Sequence, residues 1–164
     1  MTQEGNPQDQ YHSLPQVLDL LGRAEAGLCR SRERLFGQQS IDANWVRSAD
    51  EMPEREDMME SFSSRFNRFQ DLMGDKLLPA LLRWKGERPG AFIDNLNRSE
   101  RWDWVVSARQ WLEARALRNK LVHEHMVDVE VFAQSLNLAN QLSAMLLQPW
   151  RNIQSCVESD DAPE

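Results

Sequence analysis

Apolar side chains recur at steps of three, four and seven residues directly after the polar N-terminus, which is the spacing of one face of an α-helix. Ser13 precedes this pattern as a candidate N-cap, Pro15 suits a first helical turn, and Gly37 suits a helix end. The pattern predicts a helix over about 14–36 that follows a loose tail over 1–12. Its apolar stripe consists of Leu14, Val17, Leu18, Leu21, Ala24, Leu28 and Leu35.

A second apolar stripe, rich in Met and Phe, predicts a helix that begins near Glu54 after a mixed polar loop over 37–53. Acidic residues in its first turn suit a helix N-terminus. Gly74 and Pro79 interrupt the pattern, but leucines continue it, so we expect a break or kink between 74 and 79. The stripe consists of Met58, Phe62, Phe66, Phe69 and Met73.

The C-terminal half predicts two further long helices, after a loop over 85–90 and a short helical turn over 91–96. The third helix covers about 100–124, with Ser99 as its cap. The last helix covers about 128–152. The core stripe predicted for the third helix is Val105, Ala108, Leu112 and Ala116.

Trp104 and Trp111 lie seven residues apart, on a face of the third helix that its core stripe does not occupy. A second apolar face on one helix suggests a partner surface, most simply a homodimer. The alternative is that both faces are covered within one chain, and the sequence leaves this open.

The composition decides the fold class, because nine Val, three Ile and one Thr stand against twenty Leu and thirteen Ala. We expect an all-α protein, an antiparallel bundle of four and at most five helices. The 164 residues suit one domain over 13–154, followed by an acidic flexible tail over 155–164. The chain has no apolar run long enough for a membrane span, and its two cysteines stand apart from any metal-ligand spacing. We therefore expect a cytoplasmic protein with reduced thiols, no metal and no membrane contact.

The net charge of −7 argues against a protein that coats nucleic acid through bulk charge, but it allows a nuclease with a local basic site. Such a zone lies within residues 98–125, where six basic residues stand against four acidic ones. It contains two of the three histidines of the chain. The residues concentrated at its end are Arg115, Arg118, Asn119, Lys120, His123 and His125.

The spacing within this segment constrains how the side chains can meet. Asn119 and His123 are four residues apart, so we expect them to prolong the core stripe of the third helix. Arg118 and His123 are five apart and diverge by about 140° on a straight helix. A distorted helix end, or a second subunit across a two-fold axis, could bring them together.

These residue types suit RNA cleavage without a metal ion, in which the 2′-OH attacks the neighbouring phosphate. The reaction needs a base for the hydroxyl, an acid for the leaving 5′-oxygen and a cation for the charge on the phosphorane. Histidine can serve as acid or base near neutral pH. The fork of an arginine matches phosphate oxygens.

The run from Arg118 to His123, RNKLVH, resembles the R-N-x3-H signature of HEPN domains. The closest resemblance is to the HepT-like toxins and the related nucleotidyltransferase-substrate-binding proteins. The stretch over 65–82 resembles the second-helix signature of this branch, and 92–96 resembles its connector.

This resemblance implies a bundle that dimerises, with the two R-x4-H elements at a shared cleft. Many members are metal-independent ribonucleases that need no cofactor and act as toxins beside a nucleotidyltransferase-type antitoxin. Carried over to this chain, Arg118 and His123 would be catalytic and Asn119 would orient them. The wider spacing of the family, R-x6-H, also admits His125. Arg115 and Lys120 have two interpretations: cations near a helix C-terminus that favour the helix dipole, or residues that face the RNA.

One departure from the toxin branch concerns the R-x4-H-x-Y pattern, whose tyrosine can receive AMP from the antitoxin. His125 occupies this position here, and the single tyrosine of the chain is Tyr11. Adenylylation of a motif tyrosine is therefore impossible in this chain.

A second class of function stays open, namely a non-catalytic subunit that holds a nucleotide or a partner protein beside a minimal nucleotidyltransferase. The complete motif favours the ribonuclease, because binding alone does not need a titrating histidine. The missing tyrosine and the net negative charge of the chain favour the binding subunit.

Asp71 and Asp75 also have two interpretations. They are either polar cleft residues or helix caps around Gly74, and capping is the preferred interpretation.

Overall fold

The computed structural model describes residues 13–123 and 127–160, and within these ranges the protein is all-helical and contains no strand. The predicted N-terminal tail and His125 lie outside the described residues. A 3₁₀ turn spans Ser48–Asp50 and a π-helical segment spans Leu72–Leu77. The α-helices in chain order are α1 (Leu14–Phe36), α2 (Ala43–Arg47), α3 (Pro53–Asp71), α4 (Leu78–Trp84), α5 (Phe92–Arg101), α6 (Ala108–His123) and α7 (Val129–Asp160).

The first helix begins and ends where its local sequence predicts. The Ser13 hydroxyl accepts from the Gln16 backbone N–H, and the Gln16 side chain accepts from the Ser13 N–H, which completes a capping box. Gly37 ends the helix with a backbone N–H donated to Glu33. These confirmed ends depend on groups within one turn of each terminus, a side-chain capping box at Ser13 and a backbone hydrogen bond at Gly37.

The predicted break in the second helical pattern takes the form of a π-helical segment, so α3, this segment and α4 follow one another directly. A Cβ on Gly74 would lie 2.9 Å from Cε2 of Phe92. The glycine therefore allows the Phe92 ring to pack closely against the π-helical segment. Wide turns of this kind are often found at functional sites.

The core lies where α3 packs against α1, α6 and α7, and α6 in turn packs along α7. Phe62, on α3, meets Phe36 of α1 edge to face, with the ring centroids 5.1 Å apart. The largest side chains buried in this core are Trp111, Trp150, Phe62, Phe66, Phe69 and Phe132.

The expected third helix over 100–124 is wrong at its N-terminus. The turn predicted over 91–96 extends to Arg101 as α5, and Ser99 is a buried residue inside it, donating to the Asn95 carbonyl at 2.7 Å. Asp103 then reverses the chain with a φ of 59°. The carboxylate of Glu100 accepts the Ala108 N–H at 2.8 Å. This long-range cap replaces the local one expected from Ser99.

The face of α6 that enters the core also differs from the prediction. Trp111 is 2% exposed, whereas Leu112 is 40% exposed and Ala116 is also exposed. Val105 and Ala108 of the predicted stripe are buried, but Leu112 and Ala116 face outward, and Trp111 of the predicted partner face enters the core in their place. Burying an indole removes more apolar surface from water than burying a leucine, which favours this orientation. The residues of α6 that face the core are Ala108, Trp111, Ala114, Leu117 and Leu121.

The last helix is longer than predicted, since α7 continues to Asp160 instead of ending near 152. Its N-terminus is capped by Asp128, whose carboxylate accepts the backbone N–H groups of Glu130 and Val131. The segment expected to be an acidic tail over 155–164 is thus helical through residue 160. No helix of the described ranges is both long and apolar enough to cross a membrane.

Candidate functional site

A cleft of about 630 Å³ lies between α3 with its π-helical extension on one side and α6 with the start of α7 on the other. Both polar and apolar side chains line it. On the α3 side these are Met59, Glu60, Ser63, Ser64, Asn67, Arg68, Asp71, Leu72, Asp75 and Lys76, and on the other side Arg118, Leu121, Val122 and Phe132.

Two ion pairs join the helices at this cleft. Nη1 of Arg118 lies 3.1 and 3.2 Å from the two carboxylate oxygens of Asp71. Nη1 of Arg115 lies 3.3 Å from Oδ1 of Asp75, and its guanidinium stands 4.2 Å from the centre of the Phe92 ring. The two aspartates are one turn apart on their helix, and so are the two arginines, so the pairs form side by side.

These contacts correct the preferred interpretation of Asp71 and Asp75. Neither carboxylate caps a helix end at Gly74, because both reach across to arginines of α6. The i, i+4 spacing of the aspartates was visible in the sequence, but the identity of their partners depends on which face of α6 turns inward.

Burial raises the pKa of Asp71 above its ordinary value, while the charge of Arg118 lowers it. The nearby Asp75 adds to the increase and Arg115 opposes it. The net shift of the pKa is upward, because burial outweighs the charge of Arg118. Asp71 is thus a partner that can release Arg118 by gaining a proton or when a stronger anion competes for the guanidinium.

The remaining predicted site residues are distributed around the end of α6. Asn119 and Lys120 are exposed and do not line the cleft. His123 is the last residue of α6, but its side chain lies outside the described part of the structure. The expectation that Asn119 prolongs the core stripe is wrong, because its row on α6 faces outward. Of the predicted residues, the structure therefore places Arg118 in the cleft lining. Arg115 lies next to it and pairs with Asp75.

Sequence reasoning missed Ser63 and Asn67, two cleft residues that are each only 8% exposed. They precede Asp71 and Asp75 at steps of four, so the four residues form one polar row along α3 and its extension. This row lies beside the phenylalanine stripe. Its regular spacing was the available signal that a second face of this helix carries polar groups inward.

Among the described residues, no cluster of three or more His, Cys, Asp or Glu side chains is placed to share a metal ion. Comparison of the chain with known protein families, with curated proteins and with solved structures finds no match.

Proposed function

We propose that this protein is a metal-independent endoribonuclease that cleaves RNA by 2′-OH attack and serves as the toxin of a toxin–antitoxin pair. The observation that carries the proposal is the position of Arg118: 47% of its side chain is exposed, at the rim of the cleft, and its partner Asp71 is a carboxyl group whose pKa is raised by burial. An RNA phosphate carries a full negative charge and can therefore compete for this guanidinium.

In this mechanism Arg118 stabilises the charge that develops on the phosphorane oxygens. His123 supplies the acid or base, with His125 as the alternative histidine, and Asn119 orients the reacting groups. Lys120 and Arg115 contribute positive charge along the RNA backbone. The reaction needs neither a metal ion nor an organic cofactor.

The active form is proposed to be a homodimer. Leu112, Ala116 and Asn119 form an exposed row along α6, and Val122 beside it is 59% exposed. A two-fold axis through this row would pair the apolar positions with those of a second copy. Because the arginine and the histidine diverge on a single helix, the proposed mechanism requires that the histidine of one copy meets the arginine of the other.

The test is cleavage of total cellular RNA by the purified protein in the presence of EDTA. Wild type is compared with Arg118→Ala and His123→Ala, and with Arg109→Ala as a control on the same helix. Arg109 is exposed and contacts only Glu113 across one turn among the described residues. Each site variant should lose about 10²–10⁴-fold in rate, the range for removing a charge-stabilising or proton-transferring group, and the control should retain full activity.

Several outcomes would change the proposal. Cleavage that EDTA abolishes would refute the metal-independent mechanism. Cleavage retained in His123→Ala would move the role to His125 or reveal a contaminating nuclease. Light scattering of wild type and Leu112→Glu tests the dimer: the variant should show half the wild-type mass, and an equal mass in both would argue against this interface.

The second candidate is a non-catalytic subunit that holds a nucleotide or a partner protein beside a nucleotidyltransferase-type antitoxin. The ion pair between Arg118 and Asp71 favours it, because the cation is already neutralised in the free protein. A folded, dimeric wild type that cleaves no RNA would select this function over the ribonuclease.

A further inference from the structure

Six of the eight buried polar residues in the described part of the chain have hydrogen bonds to their side chains. Within the described ranges, buried atoms without a partner occur only on Ser63 (Oγ) and Asn67 (Oδ1). Both residues line the cleft beside Arg118. The buried polar residues are Ser31, Ser63, Asn67, Gln70, Asn95, Ser99, Ser135 and Ser143.

The other buried residues show what the fold ordinarily does with such groups. Three serines inside helices donate to the carbonyl four residues earlier: Ser99, Ser135 and Ser143, at 2.7–2.8 Å. Gln70, the neighbour of Asp71, donates to the Ala114 carbonyl at 3.1 Å. Ser63 sits in the same helical setting as the three serines and makes no such bond.

A buried polar atom without a partner destabilises the folded protein, and a single substitution by an apolar residue would remove that cost. Two such atoms, one helical turn apart in a single cleft, therefore point to a ligand that completes their hydrogen bonds. The ligand must offer polar groups at one end. It must also tolerate the apolar walls formed by Met59, Leu121 and Phe132.

We propose that the cleft is a base-recognition subsite that takes one unpaired ribonucleotide. The volume of about 630 Å³ falls within the range of small-ligand sites. The base edge would bond to Ser63 and Asn67. Asn67 lies about 6 Å along the helix from Asp71, the partner of Arg118, so the phosphate of the same nucleotide can reach the guanidinium. Arg68 and Lys76, which form no ion pair with a described residue, add positive charge at the rim.

That the nucleotide belongs to an RNA chain rests on the proposed ribonuclease function, whereas binding of a single nucleotide in the cleft does not. Single-stranded RNA suits the site because only an unpaired base presents its hydrogen-bonding edge to a protein. We therefore expect cleavage beside a preferred base, set by the amide of Asn67.

The test is calorimetric titration with each of the four ribonucleoside 5′-monophosphates. Wild type, Asn67→Leu, Ser63→Ala and the control Asn97→Leu are compared. Asn97 is exposed on α5 and does not line the cleft. At least one monophosphate should bind wild type and the control equally, and the two cleft variants should bind it about two- to tenfold more weakly, the change expected from one lost hydrogen bond.

Urea unfolding of the same proteins separates binding from folding. Asn67→Leu should be as stable as wild type or more stable, because it removes an amide oxygen without a partner. A clear loss of stability would mean that the amide has a structural role, and would overturn the proposal.

The remaining outcomes distinguish this inference from the proposed function. If wild type cleaves RNA but binds none of the four monophosphates, the subsite is refuted and the ribonuclease stands. If a monophosphate binds and Asn67→Leu weakens it while no RNA is cleaved, the subsite stands and the ribonuclease fails. Binding that neither cleft variant changes lies elsewhere and refutes the subsite.

Discussion

Replacing Gly74 by alanine tests how closely the π-helical segment packs against its neighbours. The added Cβ would lie 2.9 Å from Cε2 of Phe92 and 3.5 Å from Nε1 of Trp111. Carbon atoms in ordinary contact stand about 3.5–4.0 Å apart, so the Phe92 ring must move by about half an ångström or more. The same ring supports Arg115, whose guanidinium is 4.2 Å from its centre.

The matched control is Gly22→Ala in α1, where no atom lies within 4 Å of the added Cβ. Both substitutions gain about 1 kcal/mol of helix propensity, so this contribution cancels when the two are compared. Overpacking in a filled site costs about 1–3 kcal/mol. We expect Gly22→Ala to stabilise the protein and Gly74→Ala to be less stable than that variant by about 1–3 kcal/mol.

The assay is urea unfolding followed by tryptophan fluorescence, with thermal unfolding as a second measurement. For a chain of this length, 1 kcal/mol corresponds to about 2–4 °C in Tm. Equal stabilisation in both variants would refute the reasoning, because it would show that Phe92 does not occupy the space beside Gly74. The displaced ring should also weaken the contact between Arg115 and Asp75.

Two further predictions concern the face of α6 and the titration of Asp71. Leu117 is only 3% exposed, so Leu117→Ala should lower the free energy of unfolding by about 2–5 kcal/mol. Leu112→Ala, on the opposite face, should lower it by less than about 1 kcal/mol. Both are measured at low protein concentration, where a dimer contributes least, and equal losses would contradict the observed orientation of α6. Burial raises the pKa of Asp71, so the folded protein holds this proton more tightly than the unfolded chain. The contribution of Asp71 to stability is therefore complete below the ordinary pKa of an aspartate and is lost as pH rises through the raised pKa of the folded state. Asp71→Asn lacks this titration, so its stability relative to wild type should increase as pH rises from the ordinary pKa of an aspartate through the raised pKa of Asp71, and unfolding curves that show the opposite trend would reverse the sign assigned here.

The helix ends that the sequence predicted correctly depend on neighbouring residues. Ser13 and Gly37 mark the first helix because capping groups act within one turn. The all-α class follows from composition in the same way, through the shortage of β-branched residues. Where a helix was capped from a distance, as Ala108 is by Glu100, the local signal at Ser99 predicted the wrong start.

The buried face of α6 and the cleft depend on tertiary packing. The helix carries two apolar rows, and periodicity alone cannot rank them, because the choice depends on how α3 and α7 are shaped. Once Trp111 turns inward, Arg118 and Arg115 come to face the polar row of α3. The sequence alone therefore predicted the all-α class, the positions of most long helices and the segment at the end of α6 that carries the candidate site residues. Only the tertiary structure decided that Arg118 of this segment pairs with Asp71 in a cleft that Asn67 and Ser63 also line, because ion pairs between helices depend on packing that no local pattern encodes.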